Sequence, residues 1–190
     1  MNFTRIDVGA SNQSAVVLAR RGQLLPSDEN YALLHIVYHI CCHSLGSRLF
    51  KIRERTGIFY GAQGKLAWDV RHDCPGMDLI CTKVEPTDAP KAIAEIEQLL
   101  TNLACNPDIS QRELDAAKMW YEHSMVDLIN SPTEFVTMVN NYHRLFPDLE
   151  FEHVFASHRE QVKSVTVDQM NIFCQNYFKV PFANKYVAGG

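Results

Sequence analysis

The sequence predicts an α+β fold, a largely antiparallel sheet with helices packed on one face. Three observations carry that prediction. The apolar period changes from 3.6 to 2 at Ile58-Phe59-Tyr60, two strand-like segments flank the turn Asp73-Cys74-Pro75-Gly76, and most of the chain beyond Val84 is helical with two capping boxes. The chain has 190 residues, 46% of them apolar and 21% charged. That composition fills one core and predicts a single domain over residues 1–190.

Taken in order, the opening is polar, and Gln13 to Arg20 reads as a strand ended by Arg21-Gly22. Pro26-Ser27-Asp28-Glu29 has the makings of a helix start, and the helix runs to about Cys42 with Leu33, Ile36, Val37 and Ile40 on one face. A second, short helix is predicted from Ser47 to Thr56, closed by Gly57 at positive φ. A strand begins at Ile58. Lys65 to Val70 and Met77 to Val84 are further strands that form a hairpin.

Thr87-Asp88-Ala89-Pro90 starts a helix carrying Ile93, Ile96, Leu99, Leu100 and Leu103, ended by Asn106-Pro107. Ser110 and Glu113 form a capping box that opens the next helix, with Leu114, Ala117, Tyr121, Met125 and Leu128 at helical spacing. Further helices run from Ser131 to about Phe146 and from Leu149 to Gln161. Thr166 and Gln169 make a second capping box, and Tyr186-Val187-Ala188 is a closing strand.

The bulk numbers exclude several functions. Eighteen basic and twenty-two acidic residues give a net charge of -4, and the basic residues are scattered, so no nucleic-acid partner is expected. No stretch reaches the roughly eighteen apolar residues of a membrane span, and the N-terminus lacks the charged and apolar regions of a signal peptide. The six cysteines show no Cys-x-x-Cys pair; they read as free thiols, which places the chain in a reducing, cytoplasmic setting.

Two constellations bear on chemistry. The first is the ladder His35, His39, His43 on the opening helix. Spacing of four residues suits helical metal sites. A hydrolytic helix of the inverted kind, however, needs His-x-x-Glu-His, with the Glu as base, and here Tyr38 or Cys42 occupies the base position. A phenol, with an ordinary pKa of about 10, is a poor base at neutral pH. These histidines therefore read as a polar helix face, with a small metal-binding module as the rival, and no metal ligand is assigned on this chain.

The second constellation is the corner from Gly46 to Tyr60. Arg53 falls in the last turn of the short helix, and Tyr60 lies just past Gly57 on the emerging strand. A sharp reversal at Gly57 would bring guanidinium and phenol toward one point, offering two unlike donors to one oxygen. Such donors, aimed at the charge that develops on an attacked amide carbonyl, are worth about 3 kcal/mol each. On spacing alone, a solvated Arg and a packed Tyr remain the simpler reading.

The segment Ser47-Arg-Leu-Phe-Lys-Ile-Arg-Glu-Arg-Thr-Gly-Ile-Phe-Tyr60 resembles the second, non-zinc half of pitrilysin/insulinase-family (inverzincin) zinc peptidases. That half carries small-Ser-Arg-Leu-Phe, then Ile-Arg-Glu-Lys-x-Gly-Leu-Ala-Tyr. Gln13 to Val17, Tyr31 to Leu45, Pro75 to Leu100 and Ile109 to Lys118 are similar to its first strand, long helix, following strand and helix, and the next helix opening. The joint before Ser47 is shorter than usual, and Phe59 replaces a small residue.

The resemblance implies a fold like one half of a pitrilysin or mitochondrial-processing-peptidase type metallohydrolase. It implies that Arg53 and Tyr60 bind peptide substrate and stabilise the transition state, and that zinc and general base come from a homologous zinc-carrying domain or subunit. This chain alone would then be inactive. The alternative is a non-proteolytic, structural or assembly member of the same superfamily.

Overall fold

The computed structural model describes residues 3–9, 11–43 and 45–189. In chain order its elements are β1 (Thr4–Ile6), β2 (Ser14–Arg21), α1 (Leu33–Cys42), α2 (Arg48–Thr56), β3 (Gly61–Trp68), β4 (Met77–Val84), α3 (Ala89–Cys105), α4 (Gln111–Asn130), α5 (Pro132–Leu145), α6 (Phe151–Ser164), α7 (Val167–Phe178) and β5 (Asn184–Ala188). The strands form one sheet in the order β1-β5-β2-β4-β3. β1 pairs with β5 in parallel; every other pairing is antiparallel. The predicted α+β class holds.

Alternation along the strands sets the layering. On β2 and β4, Val16, Leu18, Ile80 and Val84 are buried, while Ala15, Val17, Leu79 and Cys81 between them stay partly exposed. One face of the sheet therefore takes the helices. α3 lies against β2 and β4 through its buried stripe of Ala92, Ile93, Ile96 and Leu103, and α1 lies against β3. Gly64 permits that approach, since a Cβ there would stand 2.6 Å from the Cys42 Sγ. Burying Leu114, Ala117 and Tyr121 seats α4 on α1, and α7 packs on α3.

A buried polar network ties the sheet to α7. Arg20 and Asp78 stand opposite each other across β2 and β4, and the Arg20 Nε donates to Asp78 Oδ2 at 2.8 Å. The Tyr177 hydroxyl donates to the same carboxylate at 2.8 Å, and the Ala67 N–H donates to it at 2.9 Å. Asp78 is 0% exposed and Arg20 4%. The guanidinium also lies 4.6 Å from the centroids of the Tyr177 and Phe182 rings. Burial, followed by the adjacent Asp78 charge, pushes the Tyr177 phenol well up.

α6 spans Phe151–Ser164 where Leu149 to Gln161 is expected, and four larger departures from the sequence reading have a physical cause. α1 begins at Leu33, not at Pro26, because the preceding residues form turns: the Asp28 N–H reaches the Leu25 carbonyl, the Tyr31 N–H reaches the Asp28 carbonyl, and the Asp28 carboxylate takes the Leu25 N–H. Ile58 and Phe59 are buried connectors and not strand, so pairing starts with the Tyr60 N–H on the Lys83 carbonyl at 2.8 Å. β3 is one strand that ends in a register shift between Lys65 and Trp68, where Ala67 and Asp69 adopt φ of 49° and 56°. β1 arises within the polar opening; its pairing partner is β5, far along the chain. The β3–β4 hairpin, the bounds of β4, and both capping boxes stand as predicted.

Candidate functional site

The corner is built from α2 outward. The Ser47 side chain caps α2 by accepting the Phe50 N–H at 3.2 Å, and Gly57 closes it at φ 67°, donating its N–H to the Arg53 carbonyl at 2.9 Å. Burial of Leu49, Ile58 and Phe59 then fixes the corner against the core. Ion pairs fix it to the neighbouring helices. The Arg48 guanidinium grips Glu113 on α4 through Nε at 3.1 Å and Nη2 at 3.0 Å, and also bonds Asp108; Arg55 pairs with Glu95 on α3. Burial alone would raise the Glu113 carboxyl, but hydrogen bonds from Arg48 and Ser110 outweigh it and hold the group at about 2.

Arg53 is treated differently from its two neighbours. Its guanidinium lies 5.3 Å from the Phe50 ring centroid, and among the described residues no carboxylate pairs with it. Tyr60 is 52% exposed, and its hydroxyl donates to Glu85 Oε1 at 3.3 Å. Slight desolvation, with the Glu85 carboxylate behind it, holds that phenol above its ordinary value, so it is a donor at neutral pH. The predicted pair thus lies within one helix-to-strand corner, with the two side chains unbonded to each other. Glu85, the partner of Tyr60, had no sequence signal. The capping box located Glu113 but not its second role in gripping Arg48.

The histidine ladder does not converge. His35 lies 5.5 Å, centroid to centroid, from the Tyr121 ring, whereas His39 and His43 lie 4.9 and 4.7 Å from the Trp120 ring and 5.3 Å from each other. Among the described residues no group of three or more His, Cys, Asp or Glu side chains is placed to hold a metal ion. No helix of the described residues is long and apolar enough to cross a membrane.

Burial, reinforced by His43, pulls His39 down to about 4; burial, reinforced by His35, does the same to His158; burial alone lowers His35. A depressed folded-state value means that the unfolded chain takes up protons first as pH falls. Stability is therefore intact above about pH 6.5 and drops toward pH 4, with a slope of up to about 1.4 kcal/mol per pH unit for each such group. Urea midpoints between pH 7 and 4.5 should fall less steeply in a His39→Gln, His158→Gln double variant than in the parent. Equal slopes would contradict the assignment.

This sheet, layering and helix order define the fold of the inactive domains of M16 peptidases. The M16 peptidase inactive domain from Pseudomonas fluorescens superposes with a TM-score of 0.79 at 19% identity, over 98% of this chain and 42% of that one. A candidate zinc protease from Bordetella pertussis Tohama I gives 0.75 at 18% identity, over 93% of this chain and 92% of that one. A chain of the Inz-5-bound complex III2 from Candida albicans gives 0.71 at 13% identity, over 92% and 42%. This chain thus spans less than half the length of the first and third. No protein-family profile and no curated protein matches the sequence.

Proposed function

We propose that residues 1–190 form the non-zinc half of a two-half zinc metallopeptidase that hydrolyses peptide bonds, with Arg53 and Tyr60 as its substrate-facing groups. One observation carries the reading. Of the three arginines on α2, Arg48 and Arg55 are committed to carboxylates of neighbouring helices, while Arg53 has none among the described residues and shares its corner with an exposed phenol. The fold likeness to inactive peptidase domains supports it.

In that arrangement zinc, held by a homologous domain or subunit, would activate the attacking water. Arg53 and Tyr60 would bind the peptide carbonyl and meet the negative charge that grows on its oxygen. Arg53 supplies a rigid, charged fork, and Tyr60 a neutral O–H donor that must leave Glu85 to do so. This chain supplies neither metal nor base.

The test combines this chain with the homologous half that carries His-x-x-Glu-His. Each alone should be inactive on a quenched fluorescent peptide, the mixture active, and a chelator should abolish that activity. A zinc half whose turnover is unchanged by this chain would sink the reading. The likeness to a chain of complex III2 favours a second one, an assembly subunit without peptidase activity. It predicts a stable complex in which the partner half lacks the zinc motif.

A further inference from the structure

A cleft of about 380 Å³ opens between α1, α4, α5 and α6, away from the Arg53 and Tyr60 corner. Its volume lies within the roughly 300–1,000 Å³ of small-molecule sites. Met125, Leu128, Met138 and Leu145 make much of the wall apolar. Aromatic rings make the rest: Phe146 lies 6.3 Å from Tyr31, 5.7 Å from Tyr142 and 5.3 Å from His158, centroid to centroid.

The polar groups distinguish this cleft from a packing gap. His35, His158, Tyr31 and Tyr142 all line it, and none of their side chains hydrogen-bonds another described residue. Nor are their polar atoms sealed away. Among the described residues, the buried side-chain atoms that lack a partner are only Arg20 Nη2, His39 Nδ1 and the Tyr121 hydroxyl oxygen. The donors and acceptors of those four residues are therefore accessible, and an occupant of this cleft, which all four line, can satisfy them. Tyr31 and His35 also border a neighbouring cleft beside β3, and His158 one beside the Pro26 to Glu29 turns.

Charge narrows the occupant. Burial lowers both imidazoles, His158 to about 4, and raises both phenols to about 12, so all four present neutral donors and acceptors at pH 7. Among the described lining residues Glu134, at the start of α5, is the one charged group, and it disfavours anions.

We propose that this cleft binds a small uncharged aromatic molecule of one or two rings that carries a hydroxyl group. The ring stacks among Tyr31, Tyr142 and Phe146, and the hydroxyl bonds the imidazoles and phenols. The site is independent of the peptidase reading.

Titration of the protein with p-cresol, toluene and 4-methylbenzoate, followed through the methyl resonances of Met125 and Met138, tests it. p-Cresol should bind saturably and roughly fivefold or more tighter than toluene, the worth of about one neutral hydrogen bond, and 4-methylbenzoate should not saturate. Thr137, on the exposed wall, gives the filling variant Thr137→Trp, which should abolish p-cresol binding without touching the core. Tyr142→Phe keeps the ring and should shrink the preference for p-cresol over toluene. Equal binding of all three probes, no saturable binding, or binding that survives Thr137→Trp would overturn the proposal. A tyrosine-containing peptide that binds far tighter than p-cresol would overturn it too, in favour of a peptide-binding cleft.

Discussion

Arg53→Ala in the assembled, active peptidase is expected to lower kcat about a hundredfold or more, the usual loss when a preorganised donor to a developing oxyanion is removed. The larger part of the fall should appear in kcat, with a smaller rise in KM, since the contact to the peptide carbonyl exists in the ground state and strengthens as charge develops. Folding should be nearly untouched. Arg53 has no ion pair to lose among the described residues, and its contact with the Phe50 ring is worth about 0.5–1 kcal/mol at an exposed site. Arg53→Lys should recover only part of the rate, because a lysine retains charge without the planar fork. Tyr60→Phe removes the second donor and keeps the ring, so its loss, about tenfold to a hundredfold, is chemical and not steric. Steady-state assays with matched melting curves decide the matter. Near-parental turnover of both variants would remove these residues from the mechanism.

The second large effect concerns stability. Asp78→Ala is expected to cost about 3–5 kcal/mol, because it leaves the Arg20 guanidinium buried without its carboxylate. It also strands the Tyr177 hydroxyl and the Ala67 N–H, and Ala67 sits at φ 49° in the bulge that ends β3. For a chain of this size the melting temperature should fall by about 6–20 °C. An Arg20→Met, Asp78→Leu double variant should recover the part of that loss due to the unpaired charge, while the Tyr177 hydroxyl and the Ala67 N–H stay without their acceptor. A single-variant loss below about 1 kcal/mol would show that the network is wet or redundant.

Much of the fold is legible locally. Both capping boxes, the glycine closing α2 and the β3–β4 hairpin can be read because each depends on side chains within a few residues of one another. The start of α1 misleads because Pro26 to Glu29 carries the residues of a helix opening, whereas the Asp28 side chain stabilises turns there instead. β1 escapes for the opposite reason. Thr4 to Ile6 has no periodic signal of its own and becomes a strand only by lying parallel to β5.

The candidate site divides in the same way. The positions of Arg53 and Tyr60 on the two sides of a helix-to-strand corner follow from local sequence, because Ser47, Gly57 and the buried Ile58 and Phe59 act over short distances. Sequence also determined that the His35 ladder lacks a base. Packing of distant elements leaves one arginine without an acidic partner among the described residues, since Glu113 and Glu95 reach α2 from 65 and 40 residues away. It alone placed Glu85 on Tyr60, separated His35 from His39 and His43, and opened the aromatic cleft. Those outcomes depend on how helices and strands distant in sequence pack together, which no local pattern encodes.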